Sequence, residues 1–191
     1  MRFVFVILLL SILSGCDIFT TRVAEPPNKS RSNYQTPVTP DLLIQNLVNS
    51  LKDKNLENYL LSFSDPNFTN KIFTFSASSS AISQFPALAN NWGVRNEQQY
   101  FNNLISKVQK DQPITLNLSN TSSSPQGDSL FYTASYFISI PSISADIKSN
   151  YQGELRFSMI RDSRAIWTIY FWQDTKSSNL PSWSELKGRL Y

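Results

Sequence analysis

Apolar residues recur along this chain first at helical and then at alternate spacing, and the change of period divides it. Leu43, Ile44, Leu47, Val48 and Leu51 share one helical face behind Thr39, placed to N-cap, and Pro40 in the first turn. After Lys52-Asp53-Lys54-Asn55, a second short helix carries Leu56, Tyr59, Leu60 and Phe63 at i, i+3, i+4 and i+7. Ser64-Asp65-Pro66-Asn67 reads as a turn, Ile72 to Ser76 as a Phe-containing strand, and the Ser-rich stretch from Ser76 to Ser83 as loosened chain. A longer helix is predicted from Asn96 to Gln109, because Tyr100, Phe101, Leu104, Ile105 and Val108 share a face. Asn96 with Gln99 resembles its capping box, and Glu97 suits the positive end of its dipole.

The period then becomes two. Ile114, Leu116 and Leu118 begin the alternation, and Leu130, Tyr132, Ala134, Tyr136, Ile138 and Ile140 continue it against Ser129, Thr133, Ser135 and Ser139. Tyr151, Gly153, Leu155, Phe157 and Met159 form the next apolar face, opposite Gln152, Glu154, Arg156 and Ser158. Arg161-Asp162-Ser163-Arg164 turns the chain into Ala165 to Gln173, apolar on both faces and therefore expected at the centre of a sheet. A Ser182-Trp183-Ser184-Glu185 box starts a short terminal helix with Leu186 and Leu190.

Upstream lies a different pattern. Arg2 precedes an apolar run, Phe3 to Leu10 continued by Ile12 and Leu13, of about twelve residues where a bilayer span needs roughly twenty. It ends in Leu13-Ser14-Gly15-Cys16, which resembles the lipobox of bacterial lipoproteins and holds the single cysteine of the chain. That resemblance implies cleavage between Gly15 and Cys16, a diacylglycerol on the Cys16 thiol, and usually an acylated new N-terminus. The competing reading is a short core helix with a buried thiol. Two or three acyl chains anchor stably where one, at roughly 0.8 kcal/mol per buried methylene, is marginal. The expected organisation is a signal peptide over 1–15, a lipidated cysteine and flexible tether over 16–38, and one domain over 39–191. Pro26-Pro27, Pro37 and Pro40 punctuate the polar tether. The address is the bacterial cell envelope. Asp17 resembles an inner-membrane retention signal of enteric bacteria, so the periplasmic face of the inner membrane, the outer membrane and the cell surface all stay open.

Composition excludes much chemistry. The chain has 17 Lys and Arg against 14 Asp and Glu, and no basic block of the kind that binds nucleic acid. It has no His, which removes the commonest general base and transition-metal ligand, and five Gly, with no Gly-rich phosphate loop. Acylation of Cys16 would remove the thiol nucleophile, and no acidic cluster has calcium-loop spacing. No catalytic residue, metal site or cofactor is therefore assigned. Asp65, Asp128, Asp146 and Asp162 read as turn or cap residues, which leaves Asp174, at the end of a strand, as the best remaining acid. Trp92 and Trp183 either close the ends of the core or stand out as anchors for a protein or glycan.

The order of elements resembles the NTF2-like, or cystatin-like, α+β fold. So do Asn55-Leu56-Glu57-Asn58-Tyr59-Leu60 leading to Asp65 and Phe68, and Trp92-Gly93 before Glu97, Tyr100 and Phe101. The segments Trp167 to Asp174 and Pro181 to Lys187 are similar to the closing strand and tail of NTF2-like envelope lipoproteins. The resemblance implies helices packed on a strongly curved, mostly antiparallel sheet, a cone with a pocket at its wide end, and frequent homodimers. Tyr132, Tyr136, Tyr151, Phe157, Trp167 and Tyr170 are the candidate pocket lining, with Asp174 beside them, although aromatic residues at period two also serve as plain sheet core. The expected function is a membrane-anchored, non-enzymatic module that binds a small apolar ligand or an envelope protein. A His-free isomerase or lyase acting on a hydrophobic substrate is the alternative, and a structural spacer is a third reading.

Overall fold

The structure, a computed structural model, describes residues 33–191. The signal segment, Gly15, Cys16 and the tether up to residue 32 lie outside the described residues. Helix α1 (Pro40–Lys52) starts as its sequence predicts, with Thr39 Oγ1 accepting from Leu42 N and Pro40 in the first turn. Leu43, Leu47 and Leu51 are its buried stripe. Asn46 is buried too, and binds the backbone of Gln35 at two points: its Oδ1 accepts from Gln35 N at 3.0 Å and its Nδ2 donates to Gln35 O. Trp167 N donates to Pro37 O at 2.8 Å. The chain from Gln35 to Pro37 thus packs against α1 and Trp167, because a buried amide on α1 takes the preceding backbone as its partner.

Helix α2 (Leu56–Leu60), capped by Asn55, is shorter than the spacing through Phe63 suggests. Phe63 leaves the helix and bridges Ile169 in parallel, with Ile169 N donating to Ser62 O and Ser64 N to Ile169 O. Strand β1 (Thr74–Ser76) follows. The Ser-rich stretch is ordered, contrary to its reading as loose chain: Ser79–Gln84 forms helix α3, and Pro86–Ala89 a 3₁₀ turn. Helix α4 (Val94–Ser106) begins earlier than predicted. Its cap is Gly93, whose N–H donates to Asn96 Oδ1 at 2.9 Å, so Asn96 is the third helical residue and Gln99 takes no part in the box.

Four long strands complete the sheet: β2 (Thr115–Gln126), β3 (Ser129–Ser139), β4 (Asn150–Arg161) and β5 (Trp167–Thr175). Their order is β1-β5-β4-β3-β2, antiparallel except for the β1–β5 pair. The central strand is β4, not β5. Strand β5 lies between β4 and, on its other edge, β1 and the Phe63 bridge, with Thr168, Ile169, Trp172 and Asp174 buried. Register shifts between Ser119 and Ser122 and between Ser158 and Met159 bend the sheet, and the second leaves Tyr170 as the extra residue of a bulge. Strand β2 runs well beyond Leu118 into an exposed Ser and Thr tract that alternation could not reveal, held in place by its ladder to β3. The core fills the inner face, where Trp172 lies against Phe63, Phe75, Phe157 and Trp183.

Candidate functional site

The chain closes with helix α5 (Trp183–Leu190), which occupies the inner side of β4 and β5. A capping box starts it, with Ser182 N donating to Glu185 Oε2 at 2.5 Å and Glu185 N to Ser182 Oγ at 3.4 Å. Trp183, Ser184, Glu185, Leu186, Lys187 and Leu190 are all buried, so the helix is a core element with polar residues inside it. Gly188 permits the packing, since a Cβ there would lie 2.5 Å from the Phe85 ring.

Two polar networks hold α5. In the first, Tyr136 Oη on β3 donates to Asp174 Oδ1 on β5 at 2.7 Å and accepts from Trp183 N at 2.7 Å. Asp174 Oδ2 accepts from Ser184 N at 2.8 Å and from Ser184 Oγ. Tyr136 reaches across β4 only because residue 153 is Gly: a Cβ there would sit 2.5 Å from the tyrosine oxygen. Burial pushes Asp174 above the usual carboxylate range, with the bonds from Ser184 and Tyr136 acting the other way. Burial, with the neighbouring Asp174 charge, holds the Tyr136 hydroxyl well above its ordinary value.

In the second network, Lys187 Nζ forms a fully buried ion pair with Glu97 Oε1 on α4. Glu97 also accepts from Tyr59 Oη at 2.7 Å through Oε2 and from Trp92 Nε1 at 2.7 Å. The ammonium lies 3.5 Å from the centre of the Trp172 ring and 3.8 Å from that of Phe75, with Tyr100 and Trp92 beyond, so aromatic faces replace much of its water. Burial lowers its pKa to about 8, against the opposing pull of Glu97. Trp183 Nε1 donates to Tyr100 Oη at 2.9 Å, while Trp172 Nε1 has no hydrogen-bond partner among the described residues.

Tyr136 and Asp174, both named by sequence, are therefore in contact, but inside the protein. Tyr132, Tyr151 and Phe157 are also buried, Tyr132 stacking on Phe157 with ring centres 6.2 Å apart. These residues pack as sheet core: Tyr136 is bonded to α5 at Trp183, and Phe157 lies against Trp172 as well as Tyr132. Trp167 is half-buried beside the chain that precedes α1, and Tyr170 sits at the β5 bulge with Lys71 Nζ 5.6 Å from its ring. Trp92 and Trp183 are buried, which removes their reading as exposed anchors. Asp65 and Asp162 act as turn residues as expected, accepting from Asn67 N and Arg164 N. Sequence reasoning missed Glu97 and Lys187 as a buried pair.

A polar concavity of about 400 Å³ touches the first network at Asp174, between Ala77 to Ser80 and the end of β5, and two others lie farther off. A polar groove of about 440 Å³ crosses the outer face of the sheet between Asn120, Ser135, Glu154, Arg156 and Gln173. An apolar cleft of about 360 Å³ lies between α2, the segment Phe63 to Pro66, Val94 and Arg164. Among the described residues no group of three or more His, Cys, Asp or Glu could hold a metal ion, and no helix is long and apolar enough to cross a membrane.

No protein-family model and no curated protein matches the chain. Solved structures do. A protein from Novosphingobium aromaticivorans assigned as an aromatic ring hydroxylase superposes with a TM-score of 0.56 at 13% identity, over 76% of this chain and 91% of that one. A protein from Streptomyces avermitilis assigned as a dehydratase of the NTF2-like family gives 0.54 at 11%, over 73% and 99%. An NTF2-like protein of unknown function from Pseudomonas putida gives 0.51 at 9%, over 71% and 82%. At such identities the likeness is one of fold, and the fold is NTF2-like.

Proposed function

We propose that this NTF2-like domain is a non-enzymatic binding module, held at a bacterial envelope membrane by acyl chains on Cys16. The observation that carries the reading is the position of helix α5. It occupies the inner face of the sheet and spends the hydrogen bonds of Tyr136 and Asp174 on its own backbone at Trp183 and Ser184. A carboxyl paired with a tyrosine is what a His-free isomerase or lyase needs, yet here both carboxylate oxygens and the tyrosine hydroxyl are already bonded to each other or to α5. Binding then falls to surfaces outside the closed interior. The anchoring half of the proposal rests on the sequence from Arg2 to Cys16.

Native mass spectrometry of the protein taken from its own envelope tests the first half. The expected result is a retained small molecule or protein partner that is recovered chemically unchanged. Recovery of a converted molecule, with conversion lost in Asp174→Asn, would establish the isomerase or lyase reading instead. The anchor is tested on the N-terminal peptide, which should carry acyl mass on Cys16. Cys16→Ser should release the chain from the membrane fraction.

A further inference from the structure

We propose that the cleft between α2, the Phe63–Pro66 segment and the start of α4 is a binding site for a small, neutral, largely apolar molecule bearing one oxygen acceptor, which takes the Ser64 hydroxyl. This deepens the binding-module reading and rests on it. Ser64 is only 2% exposed, its backbone N–H is fixed on Ile169 O at 2.9 Å, and its Oγ has no hydrogen-bond partner among the described residues. Ser64 is one of the residues that line the cleft. A buried hydroxyl without a partner is costly, and native proteins leave few of them. An acceptor brought by a ligand removes that cost.

The rest of the cleft sets the size and polarity of the occupant. Leu60, Leu61, Phe63 and Val94 supply an apolar lining, and Leu61 is 43% exposed although it is a large aliphatic residue. A volume of 360 Å³ suits about twelve non-hydrogen atoms at roughly 30 Å³ each, the volume a water takes in the liquid, and is too small for a helix of a partner protein. Charges of both signs stand at the rim. Arg164 gives Nε and Nη2 to Asp162 Oδ2 and stacks on Phe68, while Asp65 is engaged with Asn67 N and Glu57 is a second acid. Two acids against one arginine that already has a carboxylate partner disfavour an anionic head, and a bare ammonium can donate to the Ser64 oxygen but has no lone pair to take its proton. A ketone, ester or ether oxygen on an aliphatic or cyclic body satisfies all of these constraints.

The test is a titration of 2-octanone into the full chain carrying Cys16→Ser, followed by amide shifts. Saturable shifts centred on Leu60, Leu61, Ser64 and Val94 are expected. Ser64→Ala should weaken 2-octanone at least fivefold without lowering the melting temperature of the unliganded protein. Octanoate should bind more weakly than 2-octanone, and octylammonium, which brings no acceptor, should lose less affinity than 2-octanone on Ser64→Ala. Absence of saturable shifts, or equal 2-octanone affinity in Ser64→Ala, overturns the proposal. Should Ser64→Ala fail to fold, Leu61→Asp at the exposed rim serves in its place, and unchanged 2-octanone affinity there is equally fatal. A silent cleft in a protein that still retains another molecule or partner discards this site and leaves the binding-module reading standing.

Discussion

The interface around helix α5 and the cleft beside helix α2 treat buried polar groups in opposite ways. Around α5, two acids, a lysine, three tyrosines and the first backbone amides of a helix are almost all paired with one another. Beside α2 the walls are apolar, the space is open, and the hydroxyls of Ser62 and Ser64 have no partner among the described residues. Satisfied polar networks fix a structure because each bond lost strands a second group. A region whose polar capacity is spent on the fold has none to offer a ligand. Ser64 Oγ lies at the cleft and Ser62 Oγ next to Phe63, whereas beside α5, where the tyrosine and carboxylate that look like chemistry lie, only Trp172 Nε1 lacks a partner among the described residues.

Breaking the Lys187–Glu97 pair gives the largest effect. Lys187→Ala leaves the Glu97 carboxylate buried, with only Tyr59 and Trp92 as donors, and should cost about 3–5 kcal/mol in urea unfolding followed by tryptophan fluorescence. Lys187→Met combined with Glu97→Gln removes both charges but keeps an acceptor for Tyr59 and Trp92, and should recover most of that loss. A cost below about 1 kcal/mol for Lys187→Ala would mean that α5 is not sealed against the sheet. Next in size is Asp174→Ala. It strands the Tyr136 hydroxyl and the Ser184 amide and should cost about 2–3 kcal/mol. Asp174→Asn, which keeps an acceptor, should cost less.

The difference between the two regions was partly written in the sequence. Glu97 falls in phase with Tyr100, Phe101 and Leu104, and Lys187 with Trp183, Leu186 and Leu190, so helical spacing alone puts both charges on apolar faces. Local pattern does not say that they meet, because 90 residues separate them and the encounter depends on how α4 and α5 pack. Tyr136 and Asp174 were legible as inward residues of apolar strands, whereas their capture by α5 depends on where a helix of eight residues docks. The cleft carried no signal at all. It exists because α2 ends at Leu60 and the chain turns to pair Phe63 with Ile169, a long-range bridge with no local signature.

Titration separates the regions further. The folded pKa of Lys187, about 8, lies below its ordinary 10.5, so between those values the unfolded chain binds more protons than the folded one. Stability therefore rises with pH through that window, by on the order of 2 kcal/mol from pH 8 to 10, and is flat in this contribution below it. Tyr59, Tyr100 and Tyr136, held well above 10.0 by burial, act oppositely at higher pH, because they stay protonated in the folded state while the unfolded chain ionises. Urea midpoints should climb above pH 8 and turn over near pH 10, and the climb should disappear in the Lys187→Met, Glu97→Gln double variant. A midpoint that falls steadily from pH 8 would show that the ammonium is hydrated rather than enclosed by Trp172 and Phe75.

The smallest effect belongs to Ser62→Ala, and it sharpens the comparison most. Ser62 and Ser64 flank the same bridging residue and both have buried hydroxyls without a partner, but only Ser64 lines the cleft. Removing an unpaired buried hydroxyl relieves a desolvation cost and leaves a void no larger than one oxygen, so each substitution should leave stability unchanged or raise it, by up to about 1 kcal/mol. Only Ser64→Ala should also weaken binding in the cleft. If Ser62→Ala instead lowers stability by about 1 kcal/mol, its hydroxyl is paired with enclosed water. Ser64 then loses its nearest parallel, and its own hydroxyl must be judged by whether ligand affinity, not stability, follows the substitution.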